Sequence, residues 1–277
     1  MAYKDILVLV DGSRSSDQRL GAAVNVAEAH GASLTGVYVM QRSTVPAYAE
    51  AQIAADVLEM HAKALQEAAD QAEAQFNEKL ASSSADGTWR CVEGDPSDVA
   101  AHMGRRFDLV VLGQYDPDDD LFPSGRDMPD HVVLTCGRPV LMVPYNFHGG
   151  PIGERIMVAW DGSRTATRAV HDSVPFLAKA EEVVVMVVNP HEENVDSGEP
   201  AAQIAAHIAN HGGNAKAAHV INRSVDPAEL LLSQSADAGA DMIVCGAYGH
   251  ARWRELVLGG VTDHLLQHMP VPILMSH

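Results

Sequence analysis

Four glycines near the carboxyl end of the chain have the spacing of a backbone cradle for phosphate. Gly246 and Gly249 follow the apolar run DMIVC, and Gly259 and Gly260 come just before VTDHLLQH. Glycine lets backbone N–H groups approach a ligand closely. A helix that begins after Gly260 would also turn its unpaired N–H groups toward an anion. The alternative is two ordinary turns that flank a surface helix.

The 277-residue sequence contains two copies of one pattern. YKDILVLVDGSRSSDQRL near the start reappears as GERIMVAWDGSRTATRAV, which pairs Asp11 with Asp161. PDHVVLTCGRPVLMV aligns without gaps on TDHLLQHMPVPILMS near the end. A Gly/Pro-rich junction, NFHGGPIGE, separates the copies. We therefore predict two tandem domains, called here the first half (residues 1–148) and the second half (residues 149–277).

Each half has strand patterns that alternate with helix patterns. In the second half, RIMVAW, EEVVVMVVNP, AHVIN, DMIVCG and VPILMS are short apolar or β-branched runs typical of buried strands. The alternation predicts an α/β fold with right-handed crossovers and a doubly wound parallel sheet in each half. The first half also carries an Ala-rich segment from about residue 47 to 82, with apolar residues every three or four positions. We expect a long helix there whose buried stripe includes Ile53, Val57, His61 and Phe76.

The ends of the predicted strands indicate where a ligand would bind. In an open α/β sheet, ligands gather beyond the carboxyl ends of the strands. Asp161 follows the first strand of the second half, Val188 ends the second strand, and Gly246 follows the fourth. The sequence has neither a Walker A motif nor a G-x-G-x-x-G, which disfavours a P-loop NTPase and a dinucleotide-binding enzyme.

These motifs together resemble the universal stress proteins. The resemblance rests on DGS after the first strand of each half, on Gly246, Gly249 and Gly259 in a G-x-x-G-x₉-G arrangement, and on the closing PVPILM strand. It covers nearly the whole chain and implies a tandem member with five parallel strands in each half, a Rossmann-type fold similar to the adenine-nucleotide alpha hydrolases. It also implies a bound ATP or related adenine nucleotide, with or without Mg²⁺, as in many members.

The resemblance also implies which residues hold the nucleotide. Asp161 and Val188 would flank the adenine and ribose. The ribose and phosphates would be lined by Gly246, Gly249, Gly259, Gly260, Val261 and Thr262. Members that bind ATP usually have Ser or Thr where this chain has Gly260, so we expect binding to be weakened, because one hydroxyl contact is lost, but not abolished.

The first half departs further from the family motif. Gly113 is kept, but Asp116 stands where the second half has Gly249, and Arg126 and Asp127 replace the later glycine pair. Carboxylates at this place would repel a triphosphate. We therefore expect one nucleotide per chain, in the second half.

The closing strands VLMVP and ILMSH should lie at sheet edges. Exposed edges tend to be paired, and the resemblance implies pairing through this strand, as in the family's dimers. We expect the two halves to pair within the chain as a pseudo-dimer of two separate sheets, not as one continuous sheet.

Metal sites are weaker hypotheses. Four histidines stand in i, i+4 pairs on predicted helices: His207, His211, His264 and His268. Such pairs can hold Zn²⁺, but neither has a third ligand or a HExxH arrangement. Asp116, Asp118 and Asp120 resemble a Ca²⁺ loop, yet Leu121 replaces the glycine that such a loop requires. We expect solvent-facing histidines, an acidic surface loop and no metal.

Two further groups have an alternative structural interpretation. Ser13 and Ser163 lie in DGS turns and not in G-x-S-x-G elbows, so we expect them to cap helices and not to act as nucleophiles. Arg252, Trp253 and Arg254 could clamp a phosphate or stack on a base. A structural role, with the tryptophan packed inward and the arginines in solvent, is equally compatible with the sequence.

Composition excludes some partners. The formal charge of −18 argues against binding nucleic acid or an anionic membrane. No apolar run reaches the roughly 18 residues of a membrane helix, and the N-terminus lacks the features of a signal peptide. Three distant cysteines, Cys91, Cys136 and Cys245, suggest reduced thiols in a cytoplasmic protein.

Three functions remain compatible with the sequence. The first is a stress-response regulatory protein whose adenine nucleotide tunes its conformation or its choice of an unidentified protein partner. The second is a slow ATP hydrolase or phosphotransferase, for which no convincing base or dedicated lysine is evident, so no catalytic residue is assigned. The third is a nucleotide-free scaffold.

Overall fold

The computed structural model describes residues 2–41, 55–119, 127–189, 199–249 and 260–277. Within these ranges strands and helices alternate in both halves. The first half contains β1 (Asp5–Val10), α1 (Ser16–His30), β2 (Ser33–Met40), α2 (Ala55–Ala81), β3 (Gly87–Glu93), α3 (Pro96–Gly104), β4 (Leu109–Gly113), α4 (Met128–Thr135) and β5 (Val140–Val143). The second half contains β6 (Arg155–Ala159), α5 (Arg164–Leu177), β7 (Glu182–Val188), α6 (Glu199–Asn210), β8 (Ala215–Val220), α7 (Pro227–Asp237), β9 (Met242–Gly246), α8 (Val261–His268) and β10 (Ile273–Ser276).

The strands confirm the predicted α/β fold and correct one part of the prediction. Each half contributes five parallel strands, in the order β3-β2-β1-β4-β5 and β8-β7-β6-β9-β10. The closing strands pair antiparallel, with Leu141 opposite Leu274, as expected for the two edges. The expectation of two separate sheets was wrong. Backbone hydrogen bonding between two edge strands joins their sheets, so the described strands form one ten-stranded sheet.

The core lies on both faces of this sheet. Successive residues of β1 alternate between the two faces, so that Ile6 and Val8 belong to one apolar cluster and Leu7 and Leu9 to the other. All four are at most 3% exposed. Burying each such side chain stabilises the fold by roughly 1.5–3 kcal/mol. Strands covered on both faces explain the continuous apolar runs in the sequence.

The turns after β1 and β6 begin their helices differently. Ser163 caps α5, because its hydroxyl accepts the N–H of Ala166 at 3.1 Å, as predicted. The prediction that Ser13 caps a helix was wrong. Helix α1 begins later, after Ser15, and the Ser13 hydroxyl donates to the Asp11 carboxylate instead.

The long helix α2 is buried along only part of its length. Phe76 and the nearby Ala69 and Ala72 are buried, as predicted, whereas Val57 is 50% exposed and His61 is also exposed, which corrects the prediction for both. A 27-residue helix is about 40 Å long, but a seven-residue strand spans about 23 Å. The amino-terminal turns of α2 therefore extend past the sheet. Ile53 and the predicted start of this helix lie outside the described residues.

The halves also meet through an aromatic cluster beside the sheet. The rings of Tyr3, His30 and Phe176 pack edge to face, with centroids 4.7–5.5 Å apart. The Tyr3 hydroxyl donates to the Asp172 carbonyl at 2.6 Å, which joins the first half to α5. Burial, with a smaller contribution from the Lys179 charge, lowers the pKa of His30 to about 4. His30 is therefore neutral at this contact near pH 7.

Among the described residues, no helix is long and apolar enough to cross a membrane.

Candidate functional site

A cleft of about 420 Å³ opens in the second half at the carboxyl ends of β6, β7 and β9. Seven of the eight residues predicted for the site line it: Asp161, Val188, Gly246, Gly249, Gly260, Val261 and Thr262. The eighth, Gly259, lies outside the described residues. The volume is within the range of about 300–1,000 Å³ that is usual for small-molecule sites. The structure thus brings together residues that are up to 101 positions apart, from Asp161 to Thr262.

The turn that follows β6 forms one side of the cleft. The Asp161 carboxylate accepts the backbone N–H of Ser163 at 2.9 Å, which fixes the turn, while the residue itself is exposed. The hydroxyls of Ser163 and Thr165 lie 3.1 Å apart at the start of α5. An exposed carboxylate at this place can accept hydrogen bonds from the hydroxyls of a sugar.

Gly246 and Gly249 are required because the start of α5 lies against them. A Cβ on Gly246 would collide with the backbone of Thr165 and Ala166. A Cβ on Gly249 would lie 2.7 Å from Oγ1 of Thr165 and 3.0 Å from Oγ of Ser163. The left-handed residue between these two glycines is Tyr248, whose φ is +56°. The glycines therefore provide close approach, and a tyrosine takes the left-handed conformation.

The amino end of α8 provides the donors that could bind phosphate. Gly260 is the N-cap residue and no side chain accepts the first-turn N–H groups from that position. These unpaired N–H groups and the helix dipole favour an anion. The Thr262 hydroxyl oxygen accepts the N–H of Tyr248 at 3.3 Å, which holds the glycine turn against the helix. Its own hydrogen can still be donated to a ligand.

Apolar side chains form another part of the cleft lining, called here the apolar wall, and they include residues that sequence reasoning missed. Trp160, Met186, Pro227, Leu231 and Tyr248 line the cleft beside Val188. A flat apolar wall next to polar donors suits an aromatic base joined to a charged group. The only signal in the sequence was the position of Met186 and Trp160 at strand ends, because apolar residues there look like ordinary core.

The described residues of the cleft include few groups suited to catalysis. Among the described residues that line it, none is a lysine, arginine or histidine, and the acids are Asp161 and Asp263. Burial, together with the Asp161 charge, raises the pKa of the Cys245 thiol to about 12. A thiol that stays protonated is a poor nucleophile and a poor metal ligand.

Two residues of the first half reach the second-half site. The Tyr248 hydroxyl donates to the Asp130 carboxylate on α4. The Gln114 amide donates to the carbonyls of Leu266 and Gln267 at 2.9 and 3.0 Å, at the carboxyl end of α8. The first half therefore contacts both the glycine turn, at Tyr248, and the carboxyl end of α8.

The equivalent place in the first half is much smaller. Its cavity is about 40 Å³, roughly a tenth of the cleft in the second half. Asp116 occupies the position of Gly249, and Asp127 that of Gly260. Pro129 stands where the second half has Thr262, so α4 lacks both the hydroxyl and one N–H donor at its amino end.

The candidate metal sites do not assemble in the part of the chain that the structure describes. His211 and His268 are exposed, as expected, but His207 and His264 are half-buried, which corrects the expectation of solvent-facing histidines for both. The His207 ring packs edge to face against His211 and against His171 of α5, with centroids 4.8 and 5.2 Å apart. No group of three or more possible ligands there has a geometry that could hold a metal ion. Asp120, Leu121, Arg126 and the segment from Arg252 to Arg254 lie outside the described residues.

A family model described as the universal stress protein family matches the chain twice, over residues 2–144 and 153–277. A universal stress protein of Synechocystis sp. is 25% identical over 181 residues, which covers 61% of this chain and 57% of that protein. The chain thus matches little more than half the length of that curated relative.

Solved structures agree with the fold. A universal stress protein from Archaeoglobus fulgidus DSM 4304 superimposes with a TM-score of 0.75 at 15% identity, covering 98% of this chain and 95% of the other. A functionally unknown protein from Pseudomonas aeruginosa PAO1 gives a TM-score of 0.60 at 15% identity, with 99% and 92% covered. At these identities the likeness concerns the fold alone.

Proposed function

The chain belongs to the universal stress protein family, as a tandem two-domain member, and we propose that it binds one adenine nucleotide, in the cleft of its second half. The nucleotide acts as a regulatory ligand that tunes the conformation of the chain or its contact with a protein partner. ATP, ADP and AMP all belong to the ligand class, with or without Mg²⁺.

The observation that carries this proposal is the composition of the cleft. It joins an apolar wall for a base, the Asp161 carboxylate for a ribose, and the unpaired N–H groups at the start of α8 for phosphate. Gly246 and Gly249 let the backbone on the phosphate side lie close to α5. A ligand that carries an aromatic base, a sugar and phosphate matches these three kinds of surface.

A regulatory role is favoured over rapid catalysis by the groups in the cleft. Phosphoryl transfer needs a positioned nucleophile and cations that stabilise the developing charge. Among the described residues lining the cleft there is no basic side chain, and Cys245 is protonated near pH 7. The contacts of Tyr248 and Gln114 between the halves offer a route by which an occupied cleft could alter their packing.

The location is also part of the proposal. All three cysteines are unpaired thiols, which is the usual state in a reducing compartment. We therefore place the protein in the cytoplasm.

Titration calorimetry of the full chain with ATP, ADP, AMP and adenosine tests the proposal. We expect one site per chain and an affinity for the nucleotides above that for adenosine, because the α8 donors require a phosphate. Mass spectrometry of the nucleotide carried through purification identifies the ligand class independently. If none of the four compounds binds, the proposal is refuted and a nucleotide-free scaffold is favoured.

A further inference from the structure

Arg19 fills the place in the first half that corresponds to the cleft of the second half. Its side chain, on α1, is 4% exposed, and its Nη2 lies 2.7 Å from Oδ1 of Asp11. The same nitrogen donates to the Ser16 hydroxyl at 3.2 Å. Its Nη1 takes the space into which a Cβ on Gly113 would project. The guanidinium therefore lies between the carboxyl ends of β1 and β4.

The corresponding position in the second half is Ala169. The two DGSR motifs align without gaps, and the alignment runs on to pair Arg19 with Ala169. Both residues are buried in their helices, at 3% and 1% exposure. Because alanine ends at Cβ, no side chain from this position reaches Asp161, and Asp161 remains exposed at the cleft.

Asp119 makes a second internal contact at the first-half site. The Asp119 carboxylate, on a residue that is 4% exposed, accepts the backbone N–H of Arg14 at 2.9 Å. The Asp119 carboxylate thus occupies the backbone N–H donor of Arg14 in the DGSR turn. The remaining cavity of about 40 Å³ has room for little more than one water molecule.

We propose that Arg19 is a built-in occupant of the first-half site, and that the residue at this helix position determines which half accepts a nucleotide. Arginine pairs with the aspartate after the first strand and takes the ligand's place. Alanine leaves the space open, and Asp161 stays exposed at the cleft. The acidic residues of the first half, Asp116 among them, add repulsion to a site that Arg19 has already closed.

The energetics of the ion pair indicate that Arg19 is held there firmly. Burial alone would raise the pKa of Asp11, but the Arg19 charge and the hydrogen bonds from Ser13 lower it overall. The Arg19 side chain is buried, whereas that of Asp11 is 24% exposed. Separating the pair would leave the buried cation without its partner, which is unfavourable. The Nε of Arg19 is buried with no hydrogen-bond partner among the described residues. This unsatisfied donor is a cost that alanine, the residue at the equivalent position, avoids.

The first test places an arginine at the equivalent position of the second half. Ala169→Arg should place a guanidinium on Asp161 and lower the affinity for ATP by about 100-fold or more, because the cleft no longer has the volume for a ligand. Ala169→Met is the matched control, since it adds an unbranched side chain of similar width that is shorter and uncharged. Circular dichroism and cooperative melting check that both variants fold. Equal ATP affinities of the Arg and Met variants would overturn the proposal, as would two ATP sites in the unmodified chain.

The second test does not need the nucleotide, so it separates this inference from the proposed function on which the first test rests. The Asp11 carboxyl is titrated by carbon-13 NMR in the unmodified full chain and in Arg19→Met. We expect a midpoint below the ordinary aspartate value in the former and a higher midpoint in the latter, because the Arg19 charge that lowers the pKa of Asp11 is gone. The same midpoint in both would overturn the inference. If the unmodified chain binds no ATP but the midpoints differ as expected, the proposed function fails, whereas Arg19 still stands as the occupant of the first-half site.

Discussion

Replacing Gly249 with aspartate copies into the second half the residue that stands at the equivalent position of the first half, Asp116. The substitution changes two things in the cleft. A Cβ at this position lies 2.7 Å from Oγ1 of Thr165, so that side chain must shift. A negative charge is also added beside the α8 donors that we propose for phosphate. Gly249→Ala introduces the same Cβ without the charge, so the difference between the two variants isolates the electrostatic effect.

Coulomb's law gives the order of magnitude of that effect. Two unit charges of the same sign about 7 Å apart, at an effective dielectric constant near 20, repel each other by roughly 2 kcal/mol. This corresponds to about a 30-fold loss of affinity for each negative charge of the ligand at that distance. The loss caused by Asp relative to Ala should therefore grow from adenosine to AMP, ADP and ATP, and it should shrink at high salt.

Calorimetric titration of both variants with the four ligands measures this series. We expect Gly249→Asp to abolish measurable ATP binding, and to bind adenosine about as well as Gly249→Ala does. An equal loss for adenosine and ATP would show that the phosphates do not lie near Gly249. Unchanged ATP binding in Gly249→Asp would refute the assignment of the glycine turn to the site.

Gly260→Ser should raise the affinity for ATP about tenfold in calorimetry, because a hydroxyl hydrogen bond to a charged group contributes roughly 1.5–3 kcal/mol and a Cβ there meets no atom within 4 Å; a lower affinity would contradict this. Asp116→Ala should leave the stoichiometry at one ATP per chain, because Arg19 still fills the first-half site. A second ATP site in the calorimetric titration would contradict the proposal that Arg19 closes the first half. Release of ADP from ATP and Mg²⁺ should be at least a thousandfold slower than the ordinary enzymatic rate, on the order of 10 per second, and a rate near that value would show that the protein is an enzyme. The folded state keeps His30 neutral with a pKa of about 4, so stability is fully present above the ordinary histidine pKa and falls as the pH drops toward 4. Urea unfolding should show a loss of about 2 kcal/mol between pH 7 and pH 5 that is absent in His30→Phe, and equal pH dependence in both would exclude His30 as the cause.

The repeat made most of the fold predictable from the sequence. Two copies of the same alternation left one arrangement of strands and helices, and the gapless match of the closing strands identified the edges that pair. The joining of the two sheets was not predicted, although it follows from the pairing of the closing strands, because backbone hydrogen bonds between two edge strands make their sheets continuous. The exposed turns of α2 were missed because periodicity records a helix face but not where the neighbouring sheet ends. Val57 continues the pattern of Phe76 and yet lies beyond the sheet.

The part of the candidate site that could be predicted is the part where close packing of the backbone favours glycine. Gly246 lies so close to the backbone of α5 that a Cβ would collide with it, and Gly249 lies close to the side chains of Ser163 and Thr165. The apolar wall was not predictable, because Met186 and Leu231 are indistinguishable from core residues until the cleft is seen. The role of Arg19 was equally hidden, since an arginine in the first turns of an amphipathic helix usually faces solvent and only the tertiary structure turns it onto Asp11.

A crystal structure of the full chain grown with a non-hydrolysable ATP analogue tests the central claim most directly. The account predicts density for one nucleotide, with its base against Val188 and its phosphates at the amino end of α8, while Arg19 stays on Asp11 in the first half. Nucleotide density in the first half, or none in the cleft of the second half at a saturating concentration of the analogue, would contradict it.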